Sequence, residues 1–209
     1  MRVFISGGAK NGKSMYAQTV AKNMAKEKNL PLYYIATMIP ADEEDRKRIA
    51  RHVAERDGWG FKTIEEGYSL CDILEKSENT KESSKNNVAK VNFGGVFLLD
   101  SLTALLLNVM FGKKVTYTDS ETGEVCSKVV FDEDYINEDA EKIVVDDIAE
   151  FCKSVPNIVC VSDYIYGDIQ EYNEMTVEYK RKLAYCDRKV AEIFDKVIEV
   201  NYGFKEVFK

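Results

Sequence analysis

Near its start the chain contains the sequence Gly7-Gly8-Ala9-Lys10-Asn11-Gly12-Lys13-Ser14. It matches the pattern G-x-x-x-x-G-K-S/T and stands between a β-prone run and the amphipathic stretch Lys13–Lys28. This context is typical of a phosphate-binding loop (P-loop): glycines let backbone N–H groups point at phosphate oxygens, and the helix N-terminus adds positive potential. In such a loop Lys13 reaches the β- and γ-phosphates and Ser14 is a ligand of Mg²⁺. We therefore predict that all eight residues bind nucleotide phosphates; the alternative is a glycine-rich turn that binds nothing.

Outward from this loop, β-prone runs alternate with longer amphipathic stretches. The candidate strands are Arg2–Ser6, Leu32–Thr37, Phe61–Glu65, Val96–Asp100, Ile158–Ser162 and Lys196–Val200, and the candidate helices include Lys13–Lys28 and Gln170–Phe194. Such alternation favours a mostly parallel sheet with helices on both faces. The fold prediction is one α/β domain over residues 1–209, P-loop NTPase-like of the RecA-like type.

Two segments interrupt the alternation. Glu75–Lys90 is rich in Lys, Ser, Asn and Glu, which predicts a solvated loop. Lys113–Asp134 contains two β-prone runs, Lys114–Thr118 and Val125–Phe131, around a turn-forming sequence. This arrangement predicts a β-hairpin inserted into the domain.

Composition excludes several classes of function. The 209 residues include 29 Lys and Arg against 36 Asp and Glu, a net charge of −7. Affinity for nucleic acid or anionic membranes requires a basic face, so neither partner is expected, whereas local dipoles still hold small anions. No apolar run approaches the roughly 18 residues of a membrane span. The five Cys include no C-x-x-C pair, so we expect reduced thiols and a cytoplasmic protein.

Asp100 stands at the end of the apolar run Val96–Asp100. A P-loop is usually accompanied by a carboxylate at the end of a neighbouring strand, which positions Mg²⁺. We therefore predict that Asp100 and Ser14 hold this ion. The alternative is that Asp100 caps a helix that begins near Ser101.

The single His of the chain, His52, lies in a charged segment over residues 42–56 with the acids first and the bases after them. Helical spacing places His52 on the polar face and makes Ile49 and Val53 an apolar ridge. A His among charges is either an acid/base or nucleophilic group or simply solvated. Neighbouring arginines, Arg48, Arg51 and Arg56, either orient phosphates or pair with acids on the helix surface.

A combination of segments within residues 1–111 is more specific than the loop alone. It comprises GGAKNGKS at 7–14, YIAT at 34–37, DEE at 42–44 with RIARH at 48–52, Arg56 with TIEE at 63–66, and LLDSLT at 98–103. In this combination the chain resembles the bifunctional adenosylcobinamide kinase / adenosylcobinamide-phosphate guanylyltransferase family of cobalamin biosynthesis. The corresponding family motifs are GGARSGKS, YIAT, D-x-E with R-I-x-x-H, R-P with W-R-T-x-E, and L-L-D-C-L-T.

The resemblance implies two reactions: phosphorylation of adenosylcobinamide with ATP or GTP, then transfer of GMP from GTP to adenosylcobinamide phosphate. It implies that His52 is the nucleophile that captures GMP and that Lys13 acts on the phosphates. It implies further that Glu65 contacts the base or ribose. The other residues implied to bind nucleotide are Ala36, Thr37, Met38 and Arg56. The resemblance also implies a homo-oligomer such as a trimer.

The C-terminal half departs from this family. After the strand Ile158–Ser162 the family has N-E-V-G-x-G-I-V-P, whereas this chain has Asp163-Tyr164-Ile165-Tyr166-Gly167-Asp168-Ile169-Gln170-Glu171. The resemblance implies that the family's motif at this position helps to form the corrinoid side of the site, so its replacement here concerns the acceptor rather than the nucleotide. Two further functions therefore stay open: a related transferase with another acceptor or a single activity, and a nucleotide-binding regulatory protein without transfer chemistry.

Overall fold

A computed structural model of the chain describes residues 1–40, 42–79, 91–118, 120, 125–132, 134–167 and 170–209. Its elements are β1 (Arg2–Gly7), α1 (Lys13–Lys28), β2 (Leu32–Ala36), α2 (Glu43–Glu55), β3 (Phe61–Glu65), α3 (Cys71–Asn79), β4 (Val96–Asp100), α4 (Leu102–Phe111), β5 (Gly112–Thr118), β6 (Val125–Phe131), α5 (Ala140–Ser154), β7 (Asn157–Asp163), α6 (Glu174–Ile193), β8 (Lys196–Asn201) and β9 (Phe204–Val207).

The main sheet has the strand order β3-β2-β4-β7-β1-β8-β9. All neighbouring strands are parallel except the terminal pair β8–β9. The carboxyl ends of β1, β2, β4 and β7 therefore meet at one edge, which is where an open α/β sheet binds its ligands. The predicted P-loop α/β class, with a mostly parallel sheet, is confirmed.

Helices cover both faces of the sheet. On one face α1 packs Ala17, Ala21 and Met24 against strand residues such as Ile5 and Leu98. On the other face lies a larger core, to which Phe97 of β4, Phe151 of α5 and Phe194 after α6 contribute fully buried rings. Burial on both faces explains why the strands are apolar without alternation.

The inserted hairpin is confirmed, since β5 and β6 pair in antiparallel register from Gly112↔Phe131 to Thr118↔Val125. The predicted loop Glu75–Lys90 is wrong in its first part, because residues 75–79 belong to α3, while residues 80–90 lie outside the described residues. Asp147 of α5 explains the helix: its carboxylate accepts hydrogen bonds from the N–H groups of Leu70 (2.6 Å) and Cys71 (3.2 Å), where α3 begins. A cap supplied by another helix thus allows a helix to form where the polar local sequence predicts a loop.

The long predicted helix over 170–194 begins later than expected, at Glu174. Asn173 precedes it in an extended conformation, and its side-chain oxygen accepts the N–H of Thr176 at 2.8 Å. In the described part of the chain, no helix is both long enough and apolar enough to cross a membrane.

Candidate active site

A cleft of about 1410 Å³ opens at the carboxyl edge of the sheet, between the loop after β1 and helix α2. Many of the residues predicted for the site line it: Ala9, Lys10, Gly12, Lys13, Ser14, Ala36, Met38, His52, Arg56, Glu65 and Asp100. The cleft thus brings together the predicted phosphate-binding loop, the predicted Mg²⁺ carboxylate and the histidine. Gly7, Gly8, Asn11 and Thr37 are not among its lining residues.

Gly7 packs the phosphate-binding loop against strand β8. A Cβ on Gly7 would lie 2.3 Å from the carbonyl oxygen of Val200, so this backbone approach needs a glycine. Asn11 Nδ2 donates to the same carbonyl at 2.7 Å, and Gly12 has a φ of +86°, a conformation that glycine adopts without strain. The loop is therefore held against β8 by Gly7 and Asn11, while Ala9, Lys10 and Gly12 to Ser14 line the cleft.

Lys13 is almost fully buried at 6% exposure. Its Nζ donates to the carbonyl oxygen of Gly8 at 3.1 Å and lies 2.5 Å from Oδ1 of Asp163, at the end of β7. The sequence-based prediction did not include Asp163. Like Asp100, Asp163 is an acid at the end of a strand, and this position is the sequence feature that could have identified it. Only the strand order, however, shows that β7 lies beside β1.

Asp100 ends β4 in the floor of the cleft, and the hydroxyl of Tyr34 donates to its Oδ2 at 2.9 Å. Burial raises the pKa of this carboxyl, against the hydrogen bond from Tyr34 and the nearby charge of His52. The helix-capping alternative is wrong, because Ser101 caps α4 by accepting the N–H of Ala104.

Ser14 and Asp100 present a hydroxyl and a carboxylate to the same cleft, which are the oxygen ligands that Mg²⁺ prefers. Burial disfavours the charged form of the Asp100 carboxylate, and a cation bound there would compensate for this. The residues present therefore fit the predicted ion. Among the described residues, no three His, Cys, Asp or Glu side chains converge as a further metal site.

Arg56 follows α2 and is 7% exposed. Its guanidinium lies 3.6 Å from the centre of the Tyr34 ring. Burial, with the nearby Asp100 carboxylate, raises the pKa of the Tyr34 hydroxyl, which remains a donor. Arg56 is thus joined to Asp100 through Tyr34, a contact that sequence spacing did not reveal.

His52 is half-buried and faces the cleft from α2. Ile49 and His52 line the cleft together, and Arg56 continues the same helical stripe. The predicted apolar ridge of Ile49 and Val53 is wrong, since Val53 is 52% exposed. His52 therefore lies on the side of α2 that faces the cleft, and Val53 lies on the side that faces solvent.

Thr37 is fully buried and braces the floor of the cleft. Its Oγ1 accepts the N–H of Ser101 at 2.7 Å and donates to the Ser101 carbonyl at 2.9 Å. Asn108 Nδ2 donates to the carbonyl oxygens of Thr37 and Gly67, both at 2.7 Å. Thr37 therefore positions its neighbours from beneath the lining, contrary to the expectation that it lines the site.

Glu65 and Glu66 differ although they are adjacent. Glu65 is exposed at the end of β3 and lines the cleft. Glu66 is 8% exposed and pairs with Lys76 at 2.7 Å. The geometry leaves Glu65 accessible to a ligand, in agreement with its predicted place in the site.

The altered segment after β7 begins on the phosphate side of the cleft. Asp163 contacts Lys13, and the N–H of Tyr164 donates to the carbonyl of Gly7 at 2.8 Å. The first two residues of this segment thus contact the phosphate-binding loop, because the β1–β7 pairing continues to Gly7↔Asp163. Asp168 and Ile169 lie outside the described residues.

Known proteins are similar to this chain in sequence. The family model described as "Cobinamide kinase / cobinamide phosphate guanyltransferase" matches residues 3–207. The bifunctional adenosylcobalamin biosynthesis protein CobP of Pseudomonas aeruginosa is 34% identical over 110 residues. The aligned part covers 53% of this chain and 53% of that protein, so the match spans about half of each.

Two solved structures match the chain over most of its length. The KaiC-like protein PH0186 of Pyrococcus horikoshii gives a TM-score of 0.40 at 13% identity, covering 95% of this chain and 69% of that one. The ATPase domain of G40P gives a TM-score of 0.43 at 12% identity, covering 95% and 68%.

Proposed function

Because the chain belongs to the cobinamide kinase / cobinamide phosphate guanyltransferase family, we propose that it catalyses two successive transfers in cobalamin biosynthesis. The first phosphorylates adenosylcobinamide with ATP or GTP. The second moves GMP from GTP to adenosylcobinamide phosphate through a guanylylated His52. The observation that carries the proposal is that one cleft is lined both by the loop residue Lys13 and by His52.

In the kinase step, the substrate hydroxyl oxygen bonds to the γ-phosphorus and its proton is released to solvent. The bond from that phosphorus to the β–γ bridging oxygen breaks, and the nucleoside diphosphate leaves. The chain contributes mainly position and charge, as in other phosphoryl transfers. The N–H groups of the loop and the ammonium of Lys13 would hold the phosphates and stabilise the charge that develops on them.

In the guanylyl step, a neutral ring nitrogen of His52 bonds to the α-phosphorus of GTP, and pyrophosphate leaves. A phosphate oxygen of adenosylcobinamide phosphate then bonds to the same phosphorus, and the N–P bond breaks. Two easier steps replace one difficult transfer. Arg48 and Arg51 line the cleft beside His52 and would bind phosphate oxygens there.

Ser14 and Asp100 would hold Mg²⁺, which when bound neutralises phosphate charge. Tyr34 orients Asp100 through its hydrogen bond. Glu65, which lines the cleft from the end of β3 and is exposed, would accept hydrogen bonds from the ribose or base. Ala36 and Met38 would contact the nucleoside.

Labelling with α-³²P-GTP tests the histidine step. We expect acid-labile label on the wild-type protein and none on His52→Ala. The matched control is Val53→Ala, the neighbouring solvent-exposed residue of the same helix, which should be labelled as wild type. Equal labelling of His52→Ala would overturn the histidine intermediate, and absence of label on every variant would remove the guanylyltransferase activity.

A second candidate is a related transferase with another acceptor or with one activity only, which the altered segment after β7 favours. Adding adenosylcobinamide phosphate to the labelled protein distinguishes the two. Release of the label as a GDP-cobinamide product supports the first proposal, and a label that persists supports another acceptor. Parallel assays with γ-labelled ATP and GTP identify the kinase donor, and light scattering tests the homo-oligomer, such as a trimer, that we also propose.

A further inference from the structure

The ammonium of Lys13, which should bind phosphate, already has an anionic partner. Asp163 Oδ1 lies 2.5 Å from Lys13 Nζ. The side chain of Asp163 is 27% exposed, and that of Lys13 is 7% exposed. An ion pair shielded from water is stronger than one on the surface. The pair also stands in the wall of the cleft, where a nucleotide would have to enter.

Asp163 is rigidly placed. It pairs with Gly7 at the end of the parallel strands β1 and β7. Its N–H donates to Thr103 Oγ1 at 2.8 Å, and the Thr103 carbonyl accepts from the Tyr179 hydroxyl at 2.8 Å. The backbone of Asp163 is therefore held by the sheet and by α4, and from this position its carboxylate reaches Lys13.

We infer that Asp163 is a positioning residue that holds Lys13 in the nucleotide-free protein and that the phosphates of the nucleotide bind by displacing it. This inference rests on the proposed function. Lys13 can keep its bond to the Gly8 carbonyl during the exchange, since an ammonium has three donors. Only the partner on the cleft side changes.

The exchange has a measurable consequence. When a binding-competent state is populated only fractionally, the apparent affinity falls by that fraction. If Lys13 is paired with Asp163 for about nine-tenths of the time, removing the pair should lower the dissociation constant of the nucleotide about tenfold. The effect must pass through Lys13, which separates it from general repulsion between a carboxylate and phosphates.

The experiment is a titration of methylanthraniloyl-GTP and methylanthraniloyl-ATP in EDTA, followed by fluorescence. The proteins are wild type, Asp163→Asn, Lys13→Met and the double variant. Glu44→Gln is the matched control, because Glu44 lines the cleft but is exposed. We expect about tenfold tighter binding for Asp163→Asn, at most about threefold for Glu44→Gln, and loss of the Asp163→Asn gain in the Lys13→Met background.

Unchanged or weaker binding by Asp163→Asn would overturn the inference while leaving the proposed function intact. An equal gain in the Lys13→Met background would also overturn it, in favour of general repulsion. If no protein, including wild type with Mg²⁺, binds either nucleotide, the proposed function fails and the inference fails with it. Circular dichroism verifies folding, and Asp163→Ser replaces Asp163→Asn if that variant does not fold.

Discussion

The two walls of the cleft are built differently. The phosphate wall belongs to the sheet: Gly7 closes against the carbonyl of Val200, and Lys13 is 6% exposed. The histidine wall is α2, in which none of the described side chains is buried. The phosphate-binding half is therefore pre-formed by strand pairing, whereas the histidine half lies on a surface helix. Substitutions on the first wall should affect folding and binding together, and those on the second should affect chemistry with little cost to folding.

The largest expected effect is that of Gly7→Ala on the phosphate wall. Since the new Cβ would lie 2.3 Å from a backbone oxygen, either the loop or β8 must move. We expect a loss of about 3 kcal/mol or more in the free energy of unfolding, and a more than about 100-fold weaker binding of nucleotide. Urea unfolding and nucleotide titration measure the two effects.

The control for this substitution is Gly60→Ala, where φ is +85° but nothing lies within 4 Å of the added Cβ. Its cost should be about 1 kcal/mol, from the backbone conformation alone. If Gly7→Ala is no more harmful than Gly60→Ala, the close approach to Val200 is not essential.

The next effect concerns pH and a buried acid behind the phosphate wall. Asp187 on α6 is 4% exposed and accepts a hydrogen bond from the Tyr166 hydroxyl at 3.0 Å. Burial raises its pKa from 3.8 to about 7. Because the folded state holds this proton more tightly than the unfolded state, the contribution to stability is greatest below about pH 4 and is lost as the pH rises through 7.

As the pH rises from about 5 to 8, the stability of the wild type relative to Asp187→Asn should fall by roughly 3 kcal/mol. Urea unfolding across that range gives the difference in unfolding free energy between the two proteins. This difference isolates Asp187, because the other titrating groups contribute equally to both. A difference that does not change with pH would show that Asp187 is ionised in the folded protein at all these values.

On the histidine wall, Arg56, which directly follows α2, is the buried exception. Arg56→Ala removes a buried guanidinium from the Tyr34 ring, so we expect a loss of about 2 kcal/mol. Arg51→Ala, at an exposed position within α2, should change stability by no more than about 0.5 kcal/mol. Thermal unfolding of the two variants tests the contrast, which equal losses would contradict.

The smallest effect is predicted for Val53→Ala. Val53 is 52% exposed, and alanine has the higher helix propensity, so stability should be unchanged or rise by a few tenths of a kcal/mol. If Val53 instead belonged to a packed apolar ridge, the loss would reach about 1 kcal/mol or more. Chemical unfolding distinguishes these outcomes and tests the orientation of α2 directly.

Local chemistry explains which features were predictable from the sequence. The phosphate-binding loop, the buried strands and the inserted hairpin depend on residues that are close in the chain, such as Gly12 and Lys13. The orientation of α2 was predicted wrongly because a valine on a charged helix carries no information about which side meets the body of the protein. The helical start of Glu75–Lys90 was missed because its cap, Asp147, is supplied from α5.

The sequence by itself determined the loop, the elements and the kind of chemistry available, because backbone conformation and side-chain type act over a few residues. Only the tertiary structure decided which charges meet. Strand β7 lies between β1 and β4, so Asp163 reaches Lys13 over a separation of 150 residues. Such contacts follow from long-range strand pairing, whose register is set by the burial of whole strands rather than by any local motif.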